Sequence, residues 1–330
     1  MIECIFTIDY EIYGNGQGSL KELVYEPAEK LKVIFDKWNA RFVAFVEVAE
    51  LEIIEARRSD PAIDLVKNQI RSFYEEGFEL GLHLHPQWYN GQYVNKEWHL
   101  DYSEYNLCEL PRNRIADIVD RSLRYFREIL AVADYTPLSF RAGNWLFQPT
   151  KNVANVIAER GIKVDSSVFK GGLQHQYNLD YRPAMKNGYY WKFTNDVNVA
   201  SAQGLMLELP IHTQMVLPWK MLTSKRVGLQ KKGFSPARSR RSKLNRLRDF
   251  LRLRHPLKFD FCRMTLDELT GMVDMVIEED RQNPLLRRPI VAIGHTKDLV
   301  DFETVASFLS FLGLKGIAVS TFAQAYQNWK

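Results

Sequence analysis

The chain has 330 residues, 46% of them hydrophobic and 25% charged, which is the composition of a folded globular protein. This length suits one large α/β domain or two smaller ones. No apolar run reaches about eighteen residues, so the sequence offers no candidate membrane span, and its first residues are typical of a strand rather than a signal peptide. Three widely spaced cysteines form no CxxC pair, which favours a cytoplasmic protein.

The net charge of +4 is unevenly distributed. From Lys220 to Lys258 there are fourteen lysines and arginines against one acid, so we predict a basic insertion at 213–262 within a single domain spanning 1–330. Leu244, Leu247 and Phe250, followed by Leu251, form an apolar stripe among these charges. This pattern favours an amphipathic helix that contacts an anionic membrane surface through 225–258. A solvated insertion is the alternative, and without a recognised nucleic-acid-binding motif no nucleic-acid partner is expected.

Apolar, β-branched runs alternate along the chain with patterns of helical period. In chain order they predict a strand at 2–8, a helix at 26–38, a strand at 41–48, a helix at 60–77, a strand at 78–85, a helix at 112–130, a strand at 138–143, a helix at 150–161, strands at 162–168 and 205–211, a helix at 266–282, a strand at 289–295, a helix at 301–313 and an eighth strand or short pairing at 316–321.

This alternation predicts parallel strands joined by helical crossovers. Seven or eight such units favour a (β/α) barrel over an open sheet. Because the chemistry of a parallel α/β barrel lies at the C-terminal ends of its strands, the residues at those ends are the candidates for a site. The polar or aromatic residues found there are Asp9, Glu11, His83, His85, Arg141, Asn144, Trp145, Asp165, Ser166, Ser167, Glu208, His212, His295, Lys297 and Asp298.

His83 and His85 are two residues apart on a predicted strand, so their side chains share a face and can reach one cation. Asp9 and Glu11 have the same spacing around Tyr10. Two histidines, a carboxylate and a water form a catalytic zinc site. Buried, hydrogen-bonded histidines are the alternative, but the carboxylates at a neighbouring strand end favour the metal. Zinc suits these ligands, with nickel or cobalt as alternatives.

Five short segments, in chain order, resemble the polysaccharide deacetylase family, the NodB-like carbohydrate esterases. They are TIDYE, ELGLHLHPQW, FRAGNW, DSSV and IGHTKDL. The resemblance covers about residues 2–322. It implies a distorted (β/α) barrel, often seven-stranded, and a divalent metal used to remove acetyl groups from sugars.

The resemblance also implies residue roles. Asp9 matches the catalytic base, Arg141 the arginine that orients it, His295 the general acid, and Asp165 the acid that steadies the general acid. His83 matches a metal ligand. Where the family has two further ligands, this chain has Tyr10 and Gln87, so Glu11 and His85 are the expected substitutes, with Asp9 as another ligand.

We therefore predict a metal-dependent hydrolase that removes an acetyl group from an amino sugar of a polysaccharide or glycan precursor. The basic segment suggests a lipid-linked substrate at the inner membrane face. Candidate substrate contacts are Trp88, Asn144, Trp145 and His212, because aromatic rings at a rim suit sugar stacking. The alternatives are a deformylase or other amide hydrolase on the same barrel, an inactive glycan-binding relative, and an adaptor acting through the basic segment.

Overall fold

The structure is a computed structural model that describes residues 1–223, 225 and 252–327. The strands of this part, β1 to β15, are Ile2–Tyr10, Val43–Glu47, Glu79–Leu84, Gln92–Val94, Glu97–His99, Ser139–Ala142, Val164–Asp165, Leu173–Gln174, Leu179–Asp180, Trp191–Phe193, Met206–Glu208, Thr213–Val216, His255–Lys258, Arg288–His295 and Ala318–Ser320. Its α-helices, α1 to α8, are Glu26–Lys37, Val48–Arg57, Ile63–Glu75, Arg112–Leu130, Thr150–Glu159, Leu266–Gln282, Phe302–Leu314 and Phe322–Gln327.

Seven parallel strands form the wall of a barrel. Their order is β11, β7, β6, β3, β2, β1 and β14. The ring closes just after β11, where Ile211 forms a parallel bridge to Val291 of β14 and the His212 N–H donates to the Val291 carbonyl at 3.0 Å. β10 adds to β11 in the antiparallel direction, and β15 pairs with the start of β1. The predicted distorted, seven-stranded barrel is confirmed.

The buried strands and amphipathic helices follow from their sequences. β1 is buried along almost its whole length, as expected of a parallel strand covered on both faces. On α4, Ile115, Val119 and Phe126 are buried and share one face, so this helix packs against the sheet. A capping box between Thr265 and Glu268 marks the start of α6.

Two local predictions at the start of the chain were wrong. Helix α2 was not predicted, because the apolar residues of β2 continue into it and conceal its period. Helix α3 begins at Ile63, not at residue 60. The Asp60 side chain instead accepts the N–H groups of Leu20 and Ala62, at 2.7 and 2.8 Å. The early turn into α2 leaves Glu47 at the C-terminal end of β2.

The two ends of the predicted basic insertion pair with each other. Thr213–Val216 and His255–Lys258 form an antiparallel ribbon, which brings Lys258 back to the barrel. The stripe of Leu244, Leu247, Phe250 and Leu251 lies outside the described residues, so the membrane contact through 225–258 stays a prediction. Within the described part of the chain, every helix is too short or too polar to cross a bilayer.

Candidate active site

Four buried side chains meet where β1, β2 and β3 end. They are Glu11, Glu47, His83 and His85, and one potential ligand atom of each lies within 4.8 Å of the others. Glu11 Oε2 is 3.1 Å from His85 Nε2 and 3.6 Å from His83 Nε2. The strand alternation thus turns both imidazoles towards one carboxylate oxygen, an arrangement that suits a divalent cation.

The two ring nitrogens of His83 have the surroundings expected of a metal ligand. Its Nδ1 donates to the Arg141 carbonyl at 2.8 Å. Its Nε2 is buried and has no hydrogen-bond partner among the described residues. A backbone acceptor on one imidazole nitrogen is the usual way in which a protein orients the other nitrogen towards a metal. The unpartnered Nε2 therefore fits a cation.

The residue at the family's second histidine position, Gln87, supports the substitute ligand His85. The side-chain amide nitrogens of Gln87 and Asn144 lie 3.3 and 3.2 Å from His85 Nδ1. Gln87 Oε1 is buried without a hydrogen-bond partner in the described part of the chain. With this amide turned over, Oε1 would accept from Nδ1 and leave Nε2 free for a cation. Tyr10 stands at the other position where the family has a metal ligand. Its side chain points away from this cluster, and its hydroxyl donates to Gln69 Oε1.

Lys297 holds Glu11 in its charged form. Its Nζ donates to Glu11 Oε1 at 2.7 Å and to the Ile12 carbonyl at 2.9 Å. Burial alone would raise the pKa of Glu11, but Lys297 and the two histidines outweigh it and hold that pKa well below its usual range. Oε1 is occupied by the ammonium, so Oε2 is the oxygen left for a cation.

Sequence reasoning missed Glu47. It is completely buried, and its Oε2 has no hydrogen-bond partner among the described residues. Burial, with Glu50 and Glu11 nearby, raises its pKa well above the usual range. The available signal was that Glu47 is the one acid in the otherwise apolar segment VAFVEV and stands at the end of its strand.

A second group lies beside the first and centres on Asp9. Arg141 is completely buried and donates from Nη1 to Asp9 Oδ1 at 2.7 Å. It also donates to Thr7 Oγ1 and the Ser166 carbonyl, both at 2.9 Å. Burial alone would raise the pKa of Asp9, but Arg141 and two histidines lower it. Asp9 is therefore ionised at neutral pH, as a general base must be.

His295 lies on the other oxygen of Asp9, with 3.3 Å between His295 Nε2 and Asp9 Oδ2. Burial lowers the pKa of His295 to about 4, against the opposing effects of Asp9 and Asp298. The imidazole is therefore neutral at pH 7. It can donate to a leaving group only after it has received a proton.

The predicted role of Asp165 in steadying His295 is wrong. Asp298, three residues after the histidine, lies beside its Nδ1 at 3.8 Å and is held by Arg263 Nε at 2.9 Å. Asp165 accepts from Ser167 Oγ at 2.8 Å and lies opposite Glu208 in the strand register, and burial raises the pKa of both carboxyls. Asp165 therefore belongs to the buried wall of the barrel.

One of the predicted substrate contacts is corrected. Trp88 is completely buried and packs edge-on against Trp98, with ring centroids 5.1 Å apart, so this side chain packs the fold and its faces are not open to a sugar. His212 is half-buried, stacks on Tyr189 at 5.9 Å and contacts the Phe259 ring. Its contact with a substrate stays a prediction.

The other two predicted contacts do lie at the site. Asn144 reaches His85, as described above. The half-buried Trp145 ring has its centroid 6.1 Å from that of His295. Both residues have positive φ angles, 53° and 59°, in the short turn after β6. This turn brings their side chains towards the barrel mouth.

Gly143→Ala is expected to weaken any binding of a divalent cation at this cluster and to destabilise the fold by about 1–3 kcal/mol. A Cβ here would lie 2.6 Å from the Leu84 carbonyl oxygen and 2.8 Å from the His85 ring, so His85 must move. Gly271→Ala in α6 is the matched control, because its Cβ would meet nothing within 4 Å. Zinc titration and denaturant unfolding of both variants check this prediction; equal zinc affinity in the two would contradict it.

No family model and no curated protein matches the sequence, but solved structures match it over nearly its full length. A protein assigned as a polysaccharide deacetylase from Mycobacterium smegmatis is 15% identical, with a TM-score of 0.55 over 99% of this chain and 89% of that one. Another, from Pseudomonas aeruginosa PAO1, is 13% identical, with a TM-score of 0.53 over 99% and 90%.

The chain has the polysaccharide deacetylase fold. At these identities the likeness concerns the fold alone. The same fold is seen in the PuuE allantoinase, which is 12% identical, with a TM-score of 0.50 over 99% of this chain and 90% of that one. The resemblance inferred from the five sequence segments is thus confirmed for the deacetylase fold, and the chemistry must be argued from the site.

Proposed function

We propose that this chain is a metal-dependent hydrolase that removes acetyl groups from N-acetylated amino sugars of a glycan. The proposal depends above all on the unpartnered, buried Nε2 of His83, which faces Glu11 and lies next to His85. His83, His85 and Glu11 would hold the cation, with Glu47 as a further donor. Two imidazole nitrogens and a carboxylate oxygen suit zinc.

A bound divalent cation would polarise the acetyl carbonyl and acidify a water. Asp9, already ionised, would take a proton from the attacking water, while Arg141 holds Asp9 Oδ1 in place. Because His295 Nε2 lies 3.3 Å from Asp9, the pair can pass this proton to the leaving nitrogen. Acetate then carries the hydroxyl group, and the sugar keeps a free amine.

The predicted aromatic contact that remains exposed to a sugar is Trp145, since Trp88 is buried. Its ring lies beside His295, on the side where a leaving amine must be protonated. A pyranose packed against this ring would lie next to His295. We include Trp145 in the proposed site for this reason.

Metal content and acetate release together test this function. The wild type should contain about one divalent ion per chain and release acetate from oligomers of N-acetylglucosamine. The double variant His83→Ala/His85→Ala should lose the ion, and acetate release should fall by about a thousandfold or more. His99→Ala is the control, because that histidine is exposed and lies in β5.

The other outcomes separate the alternatives. A bound ion without acetate release, but with formate release from N-formyl sugars, would replace the deacetylase by a deformylase. A wild type that takes up no metal, even when incubated with zinc, and still binds the oligomers would indicate an inactive glycan-binding protein.

A further inference from the structure

Lys258, the last residue of β13, has its ammonium on aromatic surface. Its Nζ lies 3.0 Å from the centroid of the Trp145 ring and 5.0 Å from that of Phe169. Among residues 1–223, 225 and 252–327, no acceptor forms a hydrogen bond or an ion pair with this ammonium. Sequence reasoning counted Lys258 only as the end of the basic segment.

This lysine adjoins the candidate active site. Trp145, on which it lies, also contacts His295. Lys258 is close enough to Asp9 and Arg141 for their charges to affect its pKa in opposite directions. The ribbon of β12 and β13 therefore positions Lys258 on the side of the barrel mouth where Asp9 and His295 lie.

The acidic groups near Lys258 are already engaged. Asp260 Oδ1 accepts the backbone N–H groups of Cys262 and Arg263, at 3.1 and 3.2 Å. Asp298 is taken by Arg263. Asp9 is taken by Arg141. Arg141, Arg263 and Lys297 thus have carboxylate partners, whereas Lys258 has none among the described residues.

An ammonium on apolar surface without an anion is electrostatically unfavourable. The cation–π contact with Trp145 recovers only part of the lost hydration. In agreement, burial lowers the pKa of Lys258 to about 7, although Asp260 opposes the change. An anion beside the ammonium would restore its full charge and form a charge-assisted hydrogen bond.

We propose that Lys258 and Trp145 form an anion-binding subsite beside Asp9 and His295. The preferred substrate is then an N-acetylated sugar that also carries a phosphate or a carboxylate close to its acetamido group. This inference rests on the proposed function, since it assigns the substrate class of the same site. The sugar lies beside Trp145, one face of which Lys258 already covers, and the anionic group pairs with Lys258.

Isothermal titration calorimetry of the full chain tests the subsite without requiring turnover. The probes are N-acetylglucosamine, its 1-phosphate and 6-phosphate esters, and N-acetylmuramic acid, which carries a carboxylate. The wild type should bind at least one anionic sugar about tenfold more tightly than the neutral one, which corresponds to about 1.4 kcal/mol. The phosphate and carboxylate arms show which anion is preferred.

Lys258→Met should bind all four sugars with similar affinity, because methionine keeps the apolar stem and removes the charge. Lys258→Arg should keep the preference, and Lys192→Met, at an exposed position, should behave as the wild type. Thermal unfolding of Lys258→Met should show no loss of stability, since a poorly hydrated charge is removed.

The subsite is refuted if the wild type binds neutral and anionic sugars within twofold of each other. It is also refuted if Lys258→Met, shown to be folded, retains the preference. Acetate release from both the neutral oligomers and the anionic sugars is scored separately. A charge preference that depends on Lys258 in a protein that releases no acetate would retain the subsite and reject the deacetylase.

Discussion

Arg141→Met is expected to lower the free energy of unfolding by about 3–5 kcal/mol and to slow hydrolysis by about a hundredfold. Arg141 is completely buried and forms an ion pair with Asp9 at 2.7 Å. Removing it leaves an ionised carboxylate buried without its main partner, and Thr7 Oγ1 and the Ser166 carbonyl lose hydrogen bonds as well. Denaturant unfolding and an acetate-release assay measure the two effects.

The pH dependence of this variant has a definite sign. Asp9 has a lowered pKa in the folded chain, so its contribution to stability is present above the unfolded value of about 4 and is lost as the pH falls through the folded pKa. Without Arg141, burial dominates and raises the pKa of Asp9. The acidic limb of the activity profile should then move to higher pH.

Arg141→Lys provides the matched comparison. It keeps the charge but loses the planar fork that reaches Asp9, Thr7 and Ser166 at once. We expect a smaller loss of stability than in Arg141→Met and a smaller upward movement of the acidic limb. Stability curves that run parallel in the wild type and Arg141→Met from pH 3 to pH 7 would show that Arg141 does not control the ionisation of Asp9.

Glu11→Gln is expected to abolish metal binding and to destabilise the fold by about 3 kcal/mol. The amide removes the negative charge that faces His83 and His85. It also leaves the largely buried Lys297 without the carboxylate that it contacts at 2.7 Å, so a positive charge remains beside the cation position. Elemental analysis and denaturant unfolding measure the two losses.

The double variant Glu11→Gln/Lys297→Met separates these two effects. Because both partners of the ion pair are replaced, most of the lost stability should return, while the metal should remain absent. A double variant that binds zinc like the wild type would show that Glu11 is not a ligand. In that case Glu47 would be the carboxylate of the centre.

Much of the fold could be predicted from the chain alone. The nine residues of β1 and the eight of β14 are largely apolar and β-branched, which is typical of buried parallel strands. Their alternation with amphipathic segments such as α4 indicates helical crossovers. Helix α2 was missed because it follows β2 without a polar break. The period of the apolar residues identifies an element when a turn separates it from its neighbour. It fails when one element follows another directly.

The proximity of His83 and His85 could also be predicted, for a geometric reason. Residues two apart on a strand must share a face, so His83 and His85 had to point the same way. Because the C-terminal ends of parallel strands lie at one rim of a barrel, both histidines also had to lie at the same rim as Asp9 and Glu11. These relations depend only on strand geometry and chain order. They therefore hold before any tertiary contact is known.

The tertiary structure alone decided which polar groups meet across elements. Asp298 and not Asp165 stands beside His295, Glu47 joins the ligand cluster, Trp88 is covered by Trp98, and a ribbon carries Lys258 to Trp145. Each of these contacts depends on the depth and direction of a loop or on a long chain return. Residue type and local spacing carry no information about either, because both are set by how the whole barrel closes and packs.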